Sequence, residues 1–140
     1  MRFVESKSMK ISLLSNQEGQ LSSKERMQRA FLDKDVMAFD IYNNEIIIGF
    51  IMVKKFDTNS YFLWNYAIDS SYQNKKYGTR ALKEFISFMR EKYDMKVLTT
   101  TYLFGNEVAK RVYEKIGFIE TDVVDEKDCH EVNMIYHCKK

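Results

Sequence analysis

Asp69-Ser70-Ser71-Tyr72-Gln73-Asn74-Lys75-Lys76-Tyr77-Gly78-Thr79-Arg80 joins two stretches of opposite character. Ahead of it, Ser60-Tyr61-Phe62-Leu63-Trp64-Asn65-Tyr66-Ala67-Ile68 is aromatic and β-favouring and reads as a strand. Behind it, apolar residues fall at Ala81, Leu82, Phe85, Ile86, Phe88 and Met89, which is helical spacing. A polar loop with one Gly and two Lys therefore leads from a strand into the first turn of a helix. The free N–H groups of that turn and the positive end of its dipole form an anion site, and a ligand carrying phosphate suits it. A solubilising surface turn has the same composition, so this loop has to be weighed with a second stretch.

Asn106-Glu107-Val108-Ala109-Lys110-Arg111-Val112-Tyr113-Glu114-Lys115-Ile116-Gly117-Phe118 places an Asn just before a helix, a Tyr within it and Gly-Phe at its end. With Gln73-x-x-Lys76-x-Gly78, it resembles the two signature motifs of the GNAT superfamily of acetyl-CoA-dependent N-acetyltransferases. The first is written Arg/Gln-x-x-Gly-x-Gly/Ala and the second Asn-x-x-Ala-x-x-x-Tyr-x-x-x-Gly-Phe. The second is matched at every position, and Lys76 stands where the first has its earlier Gly. The resemblance covers about residues 36–136. It implies an α/β (α+β) fold, a mixed and twisted central sheet flanked by helices.

Composition sets the outer limits. The 140 residues carry no Pro and no Gly/Ser-rich linker, so one domain is expected over 1–140, with an N-terminal helical region (1–35) and a sheet and cofactor-binding core (36–140). Lys and Arg number 22 against 20 Asp and Glu, a net +2 that gives no whole-chain pull toward nucleic acid or membrane. No apolar run approaches the ~20 residues of a membrane span and no signal peptide begins the chain, which points to a cytoplasmic protein. Cys129 and Cys138 read as reduced structural thiols, and no metal-ligand spacing is present. His130 and His137 lie in the same strand-like tail and read as surface or filling residues.

Along the chain, Ser22-Ser23-Lys24-Glu25 has the form of a capping box and predicts a helix over about 23–33, with Met27, Ala30 and Phe31 as its thin apolar stripe. Strands follow at 36–42, at 45–55 (apolar on both faces and therefore interior) and at 60–68. A helix over about 79–92, a strand over 96–102 parallel to the one at 60–68, a helix over 107–116 and a final hairpin complete the order. Gly117 suits the left-handed residue that ends the second helix. Family members usually begin with a further strand and a long helix, and this chain is expected to start partway through that helix, near Phe3-Val4-Glu5-Ser6. The strand at 36–42 would then lack its neighbour. Residues 1–20 or a second copy would have to cover the edge, which makes a homodimer one expectation.

The resemblance also implies a site. Tyr66, Ala67 and Ile68 would offer backbone groups to the pantetheine arm of acetyl-CoA. Gln73, Asn74, Lys75, Lys76, Tyr77, Gly78 and Thr79 would wrap its pyrophosphate, mainly through N–H groups, and a Cβ at Gly78 would hold phosphate off. Asn106 would bind the cofactor or fix the splayed strand, its structural alternative being a helix N-cap. Tyr113 would protonate the thiolate as it leaves; its structural alternative is a core Tyr on the stripe Val108, Ala109, Val112, Ile116. Many members carry a catalytic carboxylate on the strand before the loop, but residues 62–66 here read Phe-Leu-Trp-Asn-Tyr. Asp69 is the nearest acid, with Glu107 and Glu131 as weaker candidates for the base. Trp64 and Asp69 are candidate contacts to a small-molecule amine acceptor. The Trp64-Asn65-Tyr66 strand and the acidic tail at 121–126 are similar to bacterial spermine/spermidine acetyltransferases, which implies a polyamine or diamine. The other reading is a non-catalytic domain that binds acetyl-CoA or a protein partner.

Overall fold

The computed structural model describes residues 1–6, 24–73 and 75–138. Its elements run β1 (Arg2–Glu5), α1 (Lys24–Ala30), β2 (Val36–Asn43), β3 (Ile46–Asp57), β4 (Ser60–Ile68), a 3-10 turn (Ser70–Tyr72), α2 (Tyr77–Tyr93), β5 (Val97–Leu103), α3 (Glu107–Ile116), β6 (Ile119–Glu126) and β7 (Cys129–His137). The seven strands form one mixed sheet in the order β1-β2-β3-β4-β5-β7-β6. All neighbours are antiparallel except β4 and β5, which the α2 crossover forces to be parallel.

Period-2 alternation distributes the apolar residues of β3 between two cores. Ile51 and Val53 join α2 residues Leu82, Phe85 and Met89 and the α3 residue Tyr113 on one face. Phe50 and Met52 join Ala30, with Phe31 and Trp64 packed alongside, on the α1 face. Both faces of β3 are buried, as its composition predicts, and it lies inside the sheet. The helix expected over 23–33 is present as Lys24–Ala30, while the Ser22-Ser23 half of its capping box lies outside the described residues.

The expectation of a missing first strand is wrong. Arg2–Glu5 is itself a strand, paired antiparallel with β2 from Arg2↔Tyr42 to Glu5↔Phe39. Phe3 holds it down by packing edge-on against Phe85 and tilted against Phe88, with ring centroids 5.4 and 5.2 Å apart. The edge of β2 is therefore covered within the chain, and the reason for expecting a second copy there disappears. Only four residues long, β1 is itself a blunt edge.

Candidate active site

The site begins with a failure of strand pairing. β4 and β5 are hydrogen-bonded neighbours only from Ser60↔Val97 to Phe62↔Thr99. Just beyond, β4 carries a bulge: Met52 pairs with Asn65 and Val53 with Leu63, which leaves Trp64 unopposed. A bulge bends and overtwists its strand, so β4 leaves β5 and its remaining residues, including Tyr66, Ala67 and Ile68, run beside a gap.

The wide end of that gap leads to the start of α2. Lys76 precedes the helix and no side chain caps it. The first turn has no acidic residue, so the N–H groups of Tyr77, Gly78 and Thr79 are left for a ligand. The start of α3 is built oppositely: Asn106 caps it by accepting from the Ala109 N–H at 3.2 Å. Asn106 thus fills the capping role foreseen for it.

The loop itself is firmly held. Asp69 donates its N–H to Ile48 O at 2.7 Å, and its carboxylate accepts from the Ser71 N–H at 2.9 Å. That carboxylate is a capping group of the 3-10 turn, which weakens it as a base or acceptor contact. Gln73 donates its side-chain amide to Ile68 O at 2.9 Å, tying the loop to the end of β4. Lys75 lies over the Tyr72 ring, 5.8 Å from its centroid. Asn74 lies outside the described residues. Lys76 adopts a left-handed backbone, φ 65° and ψ 11°, the conformation a Gly takes freely, so Lys in this place leaves the turn intact at some cost in strain.

Gly78 has no such backbone requirement, since its φ is not positive. A Cβ built there meets Ile68 Cγ1 and Val112 Cγ2 only at 4.0 Å, ordinary contact. Nothing within the fold demands Gly at this position. The missing Cβ leaves this backbone open to the close approach of an external group.

Two tyrosines lie beside the gap. Tyr66, pointing to the helical face, donates its hydroxyl to Gly78 O and so fastens β4 to the first turn of α2. Burial pushes its pKa far up, and the nearby Tyr113 phenol pushes it further. Tyr113 is buried on α3 and packs on Phe118, ring centroids 5.3 Å apart. Burial raises its pKa too, while a hydrogen bond from the Thr100 hydroxyl of β5 acts the other way. The phenol of Tyr113 therefore meets β5 through Thr100 and lies near enough to Tyr66 of β4 for the two phenols to influence each other's ionisation.

On the α1 face, Trp64 is already partnered: Lys54 Nζ lies 5.9 Å from its ring centroid and is held by Asp33 at 2.8 Å. Asn65 is buried and donates to the Met52 sulfur at 3.4 Å. Thr101, Asn133 and Asp122 form a chain of hydrogen bonds on this face, at 2.6 and 3.2 Å. Glu131, two residues from Asn133 on β7, shares the face. Glu107 is exposed in the first turn of α3. The bulge at Trp64, the Thr100 contact and the Thr101–Asn133–Asp122 chain are features the sequence reading missed. Thr100 could have been suspected, as a polar residue at a core position of an alternating strand.

Among the described residues no three His, Cys, Asp or Glu groups gather as a metal site, and no helix is long and apolar enough to cross a membrane. The sequence profile of the acetyltransferase (GNAT) family matches residues 9–118. No curated protein sequence matches the chain. Among solved structures, a GNAT family acetyltransferase from Elizabethkingia anophelis with acetyl-CoA bound has a TM-score of 0.74 at 18% identity, covering 98% of this chain and 97% of that one. A point mutant of the spermidine N-acetyltransferase from Vibrio cholerae gives 0.69 at 15%, covering 81% and 72%. The IAA acetyltransferase from Bacillus cereus gives 0.68 at 14%, covering 83% and 85%. At such identities the likeness is one of fold.

Proposed function

This chain belongs to the GNAT acetyltransferase family, whose donor is acetyl-CoA, and we propose that it moves the acetyl group directly to a primary amine with Tyr113 as general acid. The observation that carries this reading is the pairing of an uncapped α2 start with a buried phenol on α3 that bonds Thr100 of the neighbouring splayed strand. Bound there, acetyl-CoA supplies an activated thioester. Backbone groups of Tyr66, Ala67 and Ile68 guide the pantetheine arm along the unpaired edge of β4. The N–H groups of Tyr77, Gly78 and Thr79 hold the pyrophosphate, with the Lys76 cation beside them. Tyr113 holds a proton for the departing sulfur, and its raised pKa keeps that proton in place at neutral pH.

The acceptor amine must arrive neutral or lose its proton. With no carboxylate among residues 62–66 and Asp69 engaged as a cap, water is the acceptor of that proton in this scheme. A polyamine or diamine is the acceptor class put first. The fold likeness to the spermidine N-acetyltransferase supports it, as do Asp122 and Glu131 on the α1 face, which favour a cation. The non-catalytic alternative drew on the missing carboxylate near 64, on Lys76 and on a short N-terminus; β1 and the Gly-like backbone of Lys76 weaken the last two, and the first still favours it.

A thiol-release assay with acetyl-CoA over spermidine, a diamine, aminoglycosides and a peptide N-terminus tests the reading. Release that is fastest with spermidine or the diamine is expected. Acetyl-CoA binding with no thiol release on any amine would overturn it.

A further inference from the structure

Beyond the pyrophosphate cradle, the start of α2 and the second half of α3 enclose a groove of about 430 Å³ lined by Lys76, Thr79, Arg80, Lys83, Glu84 and Lys115. Four cations face one carboxylate in a chain whose net charge is only +2. Glu84 does not neutralise them evenly. It binds the Arg80 guanidinium at 3.0 Å and the terminal amine of Met1 at 3.0 Å. Among the described residues, Lys76, Lys83 and Lys115 make no ion pair. Three ammonium groups without a counter-charge around one groove repel one another. Such an arrangement suits an anion brought from outside.

Position tells which anion. Lys76 and Thr79 belong to the helix start, where the pyrophosphate is held. Lys83 lies six residues along α2 from Tyr77, about 9 Å further at the helical rise of ~1.5 Å per residue. Lys115 comes from another helix, which is packed close enough for Val112 to lie 4.0 Å from a Cβ at position 78. A pyrophosphate seated on the first-turn N–H groups does not span that distance. The donor carries one more phosphoryl group, a phosphomonoester at the 3′ position of its ribose, one sugar ring away from the pyrophosphate.

We propose that Lys83 and Lys115 form a subsite for the 3′-phosphate of the donor's nucleotide and make the protein select CoA over 3′-dephospho-CoA. Arg80, already bound to Glu84, borders the subsite. This inference rests on the donor site proposed above and adds to it two residues from different helices that no motif names.

The test is calorimetric titration of the protein with CoA and, separately, with 3′-dephospho-CoA, which needs no acceptor. The protein should bind CoA roughly tenfold more tightly, in keeping with two exposed charge contacts to one phosphate, and added salt should shrink the ratio. In the double variant Lys83→Gln/Lys115→Gln the ratio should fall toward one, chiefly by loss of CoA affinity. Lys83→Arg/Lys115→Arg should restore most of it, which a purely structural role would not explain. The melting temperature of each variant serves as the check on folding. Equal affinity of the wild-type protein for the two ligands overturns the inference while leaving the donor site standing, as does an unchanged ratio in the double Gln variant. Binding of neither ligand overturns the donor site and the inference together.

Discussion

Lys76→Gly is the substitution in which fold and ligand make opposite demands. Among the described residues, four non-Gly residues have positive φ: Asn44, Asn59, Lys76 and Asp94. Asn and Asp relieve that conformation through their own short polar side chains, whereas Lys cannot. A Cβ in the left-handed region costs about 1–2 kcal/mol, and Gly returns about 0.5–1 kcal/mol of this as extra entropy in the unfolded chain. The net gain is about 0.5–1 kcal/mol. For 140 residues, with an unfolding entropy near 2.1 cal/mol/K per residue, this raises the melting temperature by about 2–3 °C. The same substitution removes a cation from beside the pyrophosphate, so affinity for acetyl-CoA should fall by about two- to fivefold, a partly solvated charge contact. Calorimetric melting without ligand and titration with acetyl-CoA read the two effects separately. Lys76→Asn should show part of the stability gain with the same loss of affinity. A melting temperature unchanged or lowered by Lys76→Gly would refute the strain reasoning.

Gly78→Ala should leave the fold intact or stabilise it by up to about 1 kcal/mol, since the added Cβ meets nothing nearer than 4.0 Å. Acetyl-CoA affinity should drop by about ten- to a hundredfold as backbone contacts to phosphate are held apart; a titration showing unchanged affinity would contradict the cradle. Tyr66 and Tyr113 both have raised pKa values, burial first among the causes. The unfolded chain loses these protons from about pH 10 while the folded chain keeps them. Their contribution is therefore complete below that pH and lost as pH climbs toward the folded values. Urea midpoints should fall above pH 10, and less steeply in Tyr66→Phe/Tyr113→Phe. Turnover should rise with pH as the acceptor amine deprotonates, with no alkaline fall below about pH 10; a fall near neutrality would remove Tyr113 as the proton donor.

What the sequence made legible was whatever a single element decides for itself. Strand Ser60–Ile68 agrees to the residue with its aromatic run, α3 with its Asn106 cap and Gly117 stop, and β3 with its two apolar faces. Tyr113 emerged from a motif, and the structure buries its phenol beside Thr100 of β5. What escaped depends on pairing between distant segments. β1 has four residues with Phe3 alone held inward, too short to show a period, and it is a strand because β2 offers an edge. The bulge at Trp64 exists only in register with Met52 and Val53. The groove cations Lys83 and Lys115 look like ordinary solubilising lysines until two helices set them side by side.

The most direct test of the chemistry is the turnover of Tyr113→Phe on the best amine of the thiol-release panel, with acetyl-CoA affinity measured on the same sample. The lost Thr100 contact should cost about 1 kcal/mol of stability, and donor affinity should stay within about threefold. Turnover should fall by about a hundred- to ten-thousandfold, the usual share of a positioned general acid. A Tyr113→Phe variant that binds acetyl-CoA normally and releases thiol at the wild-type rate would contradict a proton delivered from this phenol.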